Sequence, residues 1–475
     1  MNIFKTIKSS TLSLIDKDAV IEGEKKLTYR QLISATESFA STLTQNGISR
    51  FDRVGLHCKD SIEYIIASLA ILSLHAVVVP ITPKQKPEEI DDIVKIIKLN
   101  YLVSESVLHC QSSSETHTSC KLLSKYFLVE KLSPGTDLPS EYFKTNPAFI
   151  RFSSGTTGTS KGVLLSHESI AERLDAANQG MQITSDDVVL WVLSMSFHFV
   201  VTILLFLRSG ATIVLCGKHF PASLIQGVKN HGGTFIYASP FYYSLLSRSE
   251  ELIRNDLANI RLAISTTIKL PAVVAEDFYA KFGFELSEAY GIIEVGLPFI
   301  RLSGGNTKRG SVGKPLPDFA VRFDNQDREG VGEICLRGKG MLDAYFSPWQ
   351  DRMAIMNQGW FKTGDLGKLD GDGFLFIVGR NKEVINLGGI KIFPQEVEAI
   401  LNQHPLVKES MVYGVAHSEY GQLPMAKIVL NDADAEIDID TLRQHCAEHL
   451  AQYKIPKAFE FVPSLPKTGS GKIKR

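Results

Sequence analysis

The chain has 475 residues, of which 44% are hydrophobic and 22% are charged, so collagen-like and disordered classes are excluded. Lys and Arg number 51 against 52 Asp and Glu, and this balance gives no overall electrostatic reason to bind nucleic acid. At about 100–200 residues per domain, the length predicts two to four domains or subdomains.

The six cysteines are scattered, with no pair at metal-binding spacing, so we expect buried thiols in a reducing compartment. The N-terminus lacks the apolar core of a signal peptide, and a cytoplasmic location is the expectation. The apolar stretch 188–207 approaches the length of a membrane span, but Ser194, Ser196 and His198 interrupt it. We therefore expect a buried strand, a turn and a buried helix there, and no stable membrane span.

Helix-like and strand-like segments alternate through the first part of the chain. Thr28 is placed to cap a helix that stops at Gly47, and the later segments are a strand at 52–58, a helix at 61–75 and a strand at 76–81. A helix at 86–99 and a strand at 101–104 continue the pattern. This rhythm predicts an α/β fold, with a large N-terminal domain of mostly parallel sheets flanked by helices.

The pattern changes twice in the second half. Gly-spaced short strands predict a small β-rich subdomain at about 305–380. Past residue 380, a helix opened by Pro394 is followed by two strands, a helix at 439–453 and a last strand. The sequence therefore predicts an N-terminal core at 1–380 and an α+β C-terminal domain at 381–475.

The densest chemical signal is RFSSGTTGTSKG at 151–162. Glycines let backbone N–H groups converge on an anion, hydroxyls donate to phosphate oxygens, and a lysine adds positive charge. The stretch is not a Walker loop, because the G-x-x-x-x-G-K-[ST] spacing does not fit. The predicted phosphate-binding residues are Ser153, Ser154, Gly155, Thr156, Thr157, Gly158 and Lys161.

Four further stretches follow in order: YGIIE at 290–294, KTGDL at 362–366, GRNKEVINLGG at 379–389 and PKTGSGK at 466–472. Together with the phosphate loop they resemble the signatures of the adenylate-forming superfamily, which includes acyl- and aryl-CoA synthetases, peptide-synthetase adenylation domains and luciferases. The resemblance covers nearly the whole chain. It implies ATP and Mg²⁺ as cofactors, and a C-terminal domain that moves between two half-reactions.

The resemblance also implies residue roles in nucleotide binding. Tyr290 suits stacking on adenine, Asp365 can accept hydrogen bonds from both ribose hydroxyls, and Glu294 with Thr156 can hold Mg²⁺. The nucleotide-binding residues implied outside the phosphate loop are Glu288, Ala289, Tyr290, Gly291, Asp365 and Arg380.

The implied catalytic residues are Lys472, His198 and Glu294, where Lys472 would offset charge at the α-phosphate. Lys382 is the implied hinge, and Gly388 and Gly389 would let a pantetheine arm pass close to the backbone. The predicted acid pocket contains Phe197, His198, Tyr237 and Leu297. Because His198 stands where amino-acid-activating relatives commonly carry Asp, we expect an aliphatic or aryl acid rather than an α-amino acid.

The chain departs from the family pattern near the predicted nucleotide. Ile293 replaces a threonine, Glu288 replaces an amide, and the segment 264–270 replaces a Gly-rich one. The leading hypothesis is an ATP-dependent acid–thiol ligase that forms an acyl-adenylate and pyrophosphate and then a thioester with coenzyme A or a phosphopantetheinyl acyl carrier protein. The alternative is a nucleotide-binding protein with weak or no catalysis that acts through a partner.

Overall fold

The computed structural model describes residues 1–108, 117–133, 138–153, 161–217, 220–302, 308–388, 390–432, 437–467 and 472–475. Its helices are α1 Ile3–Ser10, α2 Tyr29–Gln45, α3 Ile62–Ser73, α4 Pro87–Ile97, α5 Ser140–Lys144, α6 His167–Met181, α7 Met195–His198, α8 Leu204–Arg208, α9 Ala222–Asn230, α10 Pro240–Arg248, α11 Ala272–Phe282, α12 Arg352–Ile355, α13 Pro394–Leu401 and α14 Ile439–His449.

Its strands are β1 Asp18–Glu22, β2 Lys25–Thr28, β3 Arg53–His57, β4 Val77–Ile81, β5 Tyr101–Ser104, β6 His117–Leu122, β7 Lys125–Lys131, β8 Pro147–Ser153, β9 Lys161–Ser166, β10 Val188–Trp191, β11 Thr212–Leu215, β12 Phe235–Ala238, β13 Leu262–Ser265, β14 Ser287–Ile292, β15 Gly296–Arg301, β16 Phe319–Asp324, β17 Gly332–Gly338, β18 Ala344–Tyr345, β19 Gln350–Asp351, β20 Phe361–Leu369, β21 Leu375–Arg380, β22 Ile385–Leu387, β23 Ile390–Ile392, β24 Val407–His417, β25 Gly421–Leu430 and β26 Phe459–Phe461.

The predicted start of α2 is confirmed in detail. The Thr28 hydroxyl accepts from the backbone N–H of Gln31, and the Gln31 side chain accepts from the backbone N–H of Thr28, which forms a capping box. The helix ends at Gln45, and Gly47 follows with a positive φ of 92°. A left-handed backbone of this kind favours glycine, so the sequence signals at both ends act as expected.

Two large sheets carry the first part of the chain. The order of one is β15-β14-β13-β12-β10-β11-β1-β2, and that of the other is β19-β18-β9-β8-β4-β3-β5-β7-β6. The centre of each sheet is parallel, as predicted, while hairpins such as β8–β9 and β6–β7 add antiparallel pairs toward the edges. Helix α3 is buried along nearly its whole length and packs on both β4 and β1, so it lies between the two sheets.

The apolar stretch 188–207 folds as expected. It forms β10, then α7, a π-helical turn at Phe199–Ile203 and most of α8. Within the part of the chain that the structure describes, no helix combines the length and hydropathy of a membrane span.

The described residues form two compact units. One contains residues 1–309, 313–320 and 337–361, and the other contains 310–312, 321–336 and 362–475. The second unit holds most of the sheet β16-β17-β20-β21, together with the sheet β23-β22-β25-β24 and its added strand β26. The large sheet domain and the smaller β-rich part confirm the predicted fold class, and the domain boundary at residues 380 and 381 stays a prediction.

Candidate active site

The acid-side residues meet where parallel strands of the eight-stranded sheet end. Trp191, the last residue of β10, is in register with Tyr237 of β12, and their rings stack with centroids 6.2 Å apart at an interplanar angle of 7°. The His198 ring contacts both at a steep angle, with its centroid 6.2 Å from that of Trp191 and 6.3 Å from that of Tyr237. Ligands of open α/β sheets bind outside the carboxyl ends of the strands. The structure therefore places the predicted pocket residues His198 and Tyr237 in contact, and Trp191 lies against both of them.

Tyr237 brings a polar atom into this otherwise aromatic wall. Its hydroxyl donates to the Thr266 hydroxyl at 3.3 Å, and burial raises the pKa of Tyr237 to about 12, so the ring stays neutral near pH 7. Leu297 is buried beside Gly291 in the β14–β15 hairpin, and its place in the acid pocket stays a prediction.

Asp60 fixes the start of the turn that carries Phe197 and His198. Its Oδ1 accepts from the backbone N–H of Met195 at 2.8 Å. Burial raises the pKa of Asp60 to about 6, and the Met195 N–H, the Lys84 charge and Ser194 act in the opposite direction. Burial thus disfavours the ionised form of Asp60, and the Met195 N–H, the Lys84 charge and Ser194 only partly compensate.

This shift predicts a pH-dependent stability difference. Because the folded-state pKa of Asp60 lies above its ordinary value, the ionised form destabilises the fold, and this effect grows as the pH rises through the folded pKa. Relative to Asp60→Asn, the unaltered protein should lose about 1 kcal/mol of unfolding free energy between about pH 5 and about pH 7.5. Urea denaturation of both proteins at the two pH values measures the difference, and equal differences at both would contradict the assignment.

The predicted adenine-side residues lie on the β14–β15 hairpin. Tyr290 is half-buried, and its ring lies 6.1 Å from that of Phe299, its cross-strand partner. A Cβ atom on Gly291 would come within 2.4 Å of the Gly296 carbonyl oxygen, so the close hairpin requires glycine there. Ala289 is half-buried in the same strand. These three residues are consecutive in β14, and their contacts with a nucleotide stay predictions.

Glu288 is buried in an ion pair. Its Oε1 accepts from Arg301 Nη2 at 3.1 Å, and both side chains are less than a tenth exposed. Burial raises the pKa of Glu288, while Arg301 acts to lower it. The charge that sequence analysis placed near ATP is therefore balanced by a cation that the motifs did not indicate.

The segment that carries Glu294 is held by a buried arginine. Arg173 of α6 donates from Nη1 to the Ile293 carbonyl at 3.1 Å, and from Nη2 and Nε to the Gly340 carbonyl at 2.7 and 2.9 Å. The next carbonyl, that of Glu294, accepts from the backbone N–H of Leu342 at 2.7 Å. Ile293 thus lacks a side-chain donor, but its backbone fixes the position of the predicted metal ligand.

Tyr345 connects Glu294 with the phosphate-loop lysine. Its hydroxyl donates to Glu294 Oε1 at 3.5 Å, and Lys161 Nζ lies 4.5 Å from the centre of its ring. Burial raises the pKa of Tyr345, with Glu294 adding to the effect, so the hydroxyl remains a donor. Ser153 and Lys161 are cross-strand partners of β8 and β9. Tyr345 therefore contacts both a predicted phosphate-binding residue, Lys161, and the predicted metal ligand, Glu294.

The remaining phosphate-loop predictions and one thiol-side prediction lie outside the described residues; they are Ser154, Gly155, Thr156, Thr157, Gly158 and Gly389. The predicted role of Thr156 as a second metal ligand lies outside them for the same reason.

In the second unit, the two predicted ribose-binding residues form a pair. Asp365 and Arg380 are directly opposite each other in β20 and β21, and Arg380 Nε lies 3.0 Å from Asp365 Oδ1. The Asp365 side chain is 6% exposed and that of Arg380 is 36% exposed. The Thr363 hydroxyl also accepts from the Asp365 backbone N–H at 3.1 Å, which orients the acidic residue. The pairing fits a joint role at one ligand.

Replacing Asp365 with alanine should raise the KM for ATP by about 10- to 100-fold. The nucleotide then loses its hydrogen bonds to the carboxylate, and hydrogen bonds to a charged group are worth about 1.5–3 kcal/mol. The KM for the acid should change little. Steady-state kinetics measures both constants, with Asp372→Asn, in an exposed loop of the same unit, as the matched control. An unchanged KM for ATP would remove Asp365 from the site.

The C-terminal predictions lie at exposed positions. Lys382 is exposed in a short 3₁₀ turn at Asn381–Glu383. Gly388 has a φ of 58°, and a Cβ atom there would meet nothing within 4 Å, so a ligand has room to approach the backbone. Lys472 is exposed beside Ile473, which forms a β-bridge with Lys467. The hinge, tunnel and catalytic roles of these residues stay predictions.

Sequence reasoning did not single out four residues that the structure places at the candidate site: Asp60, Arg173, Tyr345 and Trp191. Arg173 and Asp60 look like surface charges in the sequence, since their partners are 167 and 135 residues away. A usable signal existed for Trp191, which ends a strand just before the Phe197-His198 pair. Tyr345 lies in none of the five motifs, so no sequence signal pointed to it.

Comparison with known proteins places this geometry in a family. The family model for the AMP-binding enzyme matches residues 11–346, and that for the AMP-binding enzyme C-terminal domain matches 396–472. The chain is 27% identical over 526 residues to the long-chain-fatty-acid–CoA ligase of Yersinia pestis, covering 100% of this chain and 93% of the relative. It is 29% identical to 4-coumarate–CoA ligase 5 of Oryza sativa subsp. japonica, covering 97% and 90%.

Among solved structures, the crystal structure of ATP-bound MatB from Rhodopseudomonas palustris matches with a TM-score of 0.85 at 24% identity, covering 100% of this chain and 97% of that one. This similarity concerns the fold. The chain belongs to the AMP-binding enzyme family, which confirms the predicted membership of the adenylate-forming superfamily. The prediction of an ATP-dependent ligase that works through an acyl-adenylate is confirmed with it.

Proposed function

We propose that this protein joins an aliphatic or aryl carboxylic acid to the thiol of coenzyme A. The observation that carries the acid class is the wall formed by Trp191, His198 and Tyr237, where aromatic rings line the carboxyl ends of two parallel strands. Such a wall suits an apolar acid, because an ammonium group would lose its hydration there without gaining a carboxylate. The names of the curated relatives, which are CoA ligases, support the thiol.

In the proposed first half-reaction, the substrate carboxylate attacks the α-phosphate of ATP, the acyl-adenylate forms and pyrophosphate leaves. Tyr290 stacks on the base, Asp365 and Arg380 hold the ribose, and Lys472 offsets the charge that develops at the α-phosphate. In the second half-reaction, the thiol attacks the acyl carbonyl, a thioester forms and AMP leaves. Gly388 gives the pantetheine arm room to pass.

Glu294 fits a magnesium ion. Mg²⁺ prefers hard oxygen ligands and commonly takes one or two carboxylates together with substrate phosphates. Glu294 provides one carboxylate, whose backbone is fixed by Leu342 and by the Arg173 bond to Ile293. Mg²⁺ bound there would offset the charge of the ATP phosphates.

The test is acid-dependent exchange of labelled pyrophosphate into ATP, with no thiol added, over aliphatic, aryl and amino acids. Exchange with one aliphatic or aryl class supports the proposal. Exchange with amino acids alone would contradict the acid class, and silence across the panel with intact ATP binding would favour a binding protein without catalysis. Thioester formation with coenzyme A and with a phosphopantetheinyl acyl carrier protein then separates the two thiols, since they end in the same pantetheine arm.

We also propose a cytoplasmic location. It is supported by the described cysteines, which are buried free thiols of the kind kept in a reducing compartment: Cys58, Cys120, Cys216, Cys335 and Cys446.

A further inference from the structure

A half-buried arginine, whose Nε atom is fully buried, lies between the turn that carries His198 and the predicted metal ligand. Arg151 is in β8, and its Nη1 donates to the Phe197 carbonyl oxygen at 2.7 Å. Its guanidinium carbon lies 5.7 Å from the centre of the Phe197 ring. Burial lowers the pKa of Arg151, and the charge of Glu294 acts in the opposite direction. One cation therefore touches the segment that carries His198 and interacts electrostatically with Glu294.

This arginine is less completely paired than Arg173, which is buried in the same unit. A guanidinium has five N–H donors and no acceptor. In Arg173, Nε, Nη1 and Nη2 all donate to backbone carbonyls. In Arg261, whose side chain is 38% exposed, Nε and Nη2 both donate to the buried Asp187 carboxylate at 2.7 Å. The Nε of Arg151, in contrast, is buried without a hydrogen-bond partner among the described residues.

An incompletely paired buried cation is costly, and in native proteins such groups call for an explanation. The stacked aromatic wall and Phe197 supply no anion, and the interaction with Glu294 is electrostatic rather than a hydrogen bond. An anion that enters with the substrates would give the guanidinium the hydrogen-bond acceptor that it lacks. A planar donor fork suits the two oxygens of a carboxylate or a phosphate.

We propose that Arg151 is an oxyanion-binding residue of the adenylation site. The inference rests on the proposed ligase function. The ligand chemistry is the oxyanion shared by the substrate carboxylate and the α-phosphate, which become joined in the acyl-adenylate. Since the guanidinium is already dehydrated and anchored at the Phe197 carbonyl, it needs little reorganisation when negative charge builds up during attack.

The test uses the full chain with Arg151→Met, which keeps an unbranched side chain without charge or donors. Acid-dependent pyrophosphate exchange should fall by about 100-fold or more, as for other lost oxyanion donors. The midpoint temperature of unfolding should stay equal or rise, because removal of an incompletely paired charge offsets the lost bond to the Phe197 carbonyl. Arg151→Lys should recover only part of the exchange, because an ammonium cannot form the planar fork.

Arg261→Met is the matched control, since it removes a paired arginine from the same unit. It should show the reverse pattern, with a lower unfolding midpoint and retained exchange. Loss of exchange in Arg151→Met together with a lower unfolding midpoint would assign Arg151 a structural role and overturn the proposal. Exchange within about 3-fold of the unaltered protein would also overturn it.

Two binding constants distinguish the sources of the oxyanion. Weaker binding of ATP alone to Arg151→Met identifies the α-phosphate, and a raised KM for the acid with unchanged ATP binding identifies the carboxylate. If the unaltered chain shows no exchange with any acid, the proposed function fails on its own. ATP binding then decides: affinity at least about 10-fold weaker in Arg151→Met supports the oxyanion role, and equal affinity overturns it.

Discussion

Replacing Lys472 with alanine should lower acid-dependent pyrophosphate exchange by about 100- to 1,000-fold, the effect of removing one preorganised donor from developing negative charge. The structure gives this lysine a defined base. Ile473 pairs with Lys467 and packs on Met411, Val429 and Leu465, and the Lys474 backbone N–H donates to the Pro466 carbonyl at 2.7 Å. The exposed Lys472 side chain therefore projects from an anchored segment, so its loss should leave the fold intact.

The matched control is Lys474→Ala, which removes an exposed lysine two residues further on. It should retain exchange. Thioester formation from a chemically prepared acyl-adenylate should also continue in Lys472→Ala, because that step no longer involves attack on ATP. Undiminished exchange in Lys472→Ala would contradict the mechanism, and equal losses in both variants would indicate a general effect of charge.

The fold class was predictable because its signals are local. The capping box at Thr28 and Gln31 and the all-round apolar α3 act within a few residues of themselves. Strand pairing depends on distant segments, and the sequence did not indicate that β1 joins the eight-stranded sheet by pairing with β11, almost 200 residues away. The antiparallel hairpins were not predicted either, although their strands, such as β6 and β7, are consecutive in the chain.

The candidate site was predictable in its residue types and not in its contacts. Asp365 and Arg380 were each assigned to the ribose by resemblance, but their ion pair depends on a register that shifts between Leu366 and Gly367. The sequence alone showed that Ile293 replaces the threonine of the family pattern. That its carbonyl is bonded to Arg173 depends on helix α6, which none of the motifs includes.

Replacement of Arg173 should therefore lower stability by an amount that the motifs do not predict. Burial lowers the pKa of Arg173 to about 10, with Asp343 and Glu294 acting in the opposite direction. Replacing it with methionine leaves the Ile293 and Gly340 carbonyls without their donor. We expect the unfolding free energy to fall by roughly 2–4 kcal/mol, since each buried acceptor left unsatisfied costs about 1–3 kcal/mol and removal of a buried charge offsets part of this.

The same change should act on catalysis through Glu294. Because the Ile293 carbonyl fixes the backbone just before the predicted metal ligand, Arg173→Met should raise the Mg²⁺ concentration needed for half-maximal exchange, even at a temperature where the variant is fully folded. Arg208→Met is the matched control, since Arg208 contacts Ala171 and Asp175 on the same helix without reaching Glu294. An unchanged Mg²⁺ requirement with lowered stability would limit Arg173 to holding the fold, whereas a raised requirement makes it the residue that positions the metal ligand.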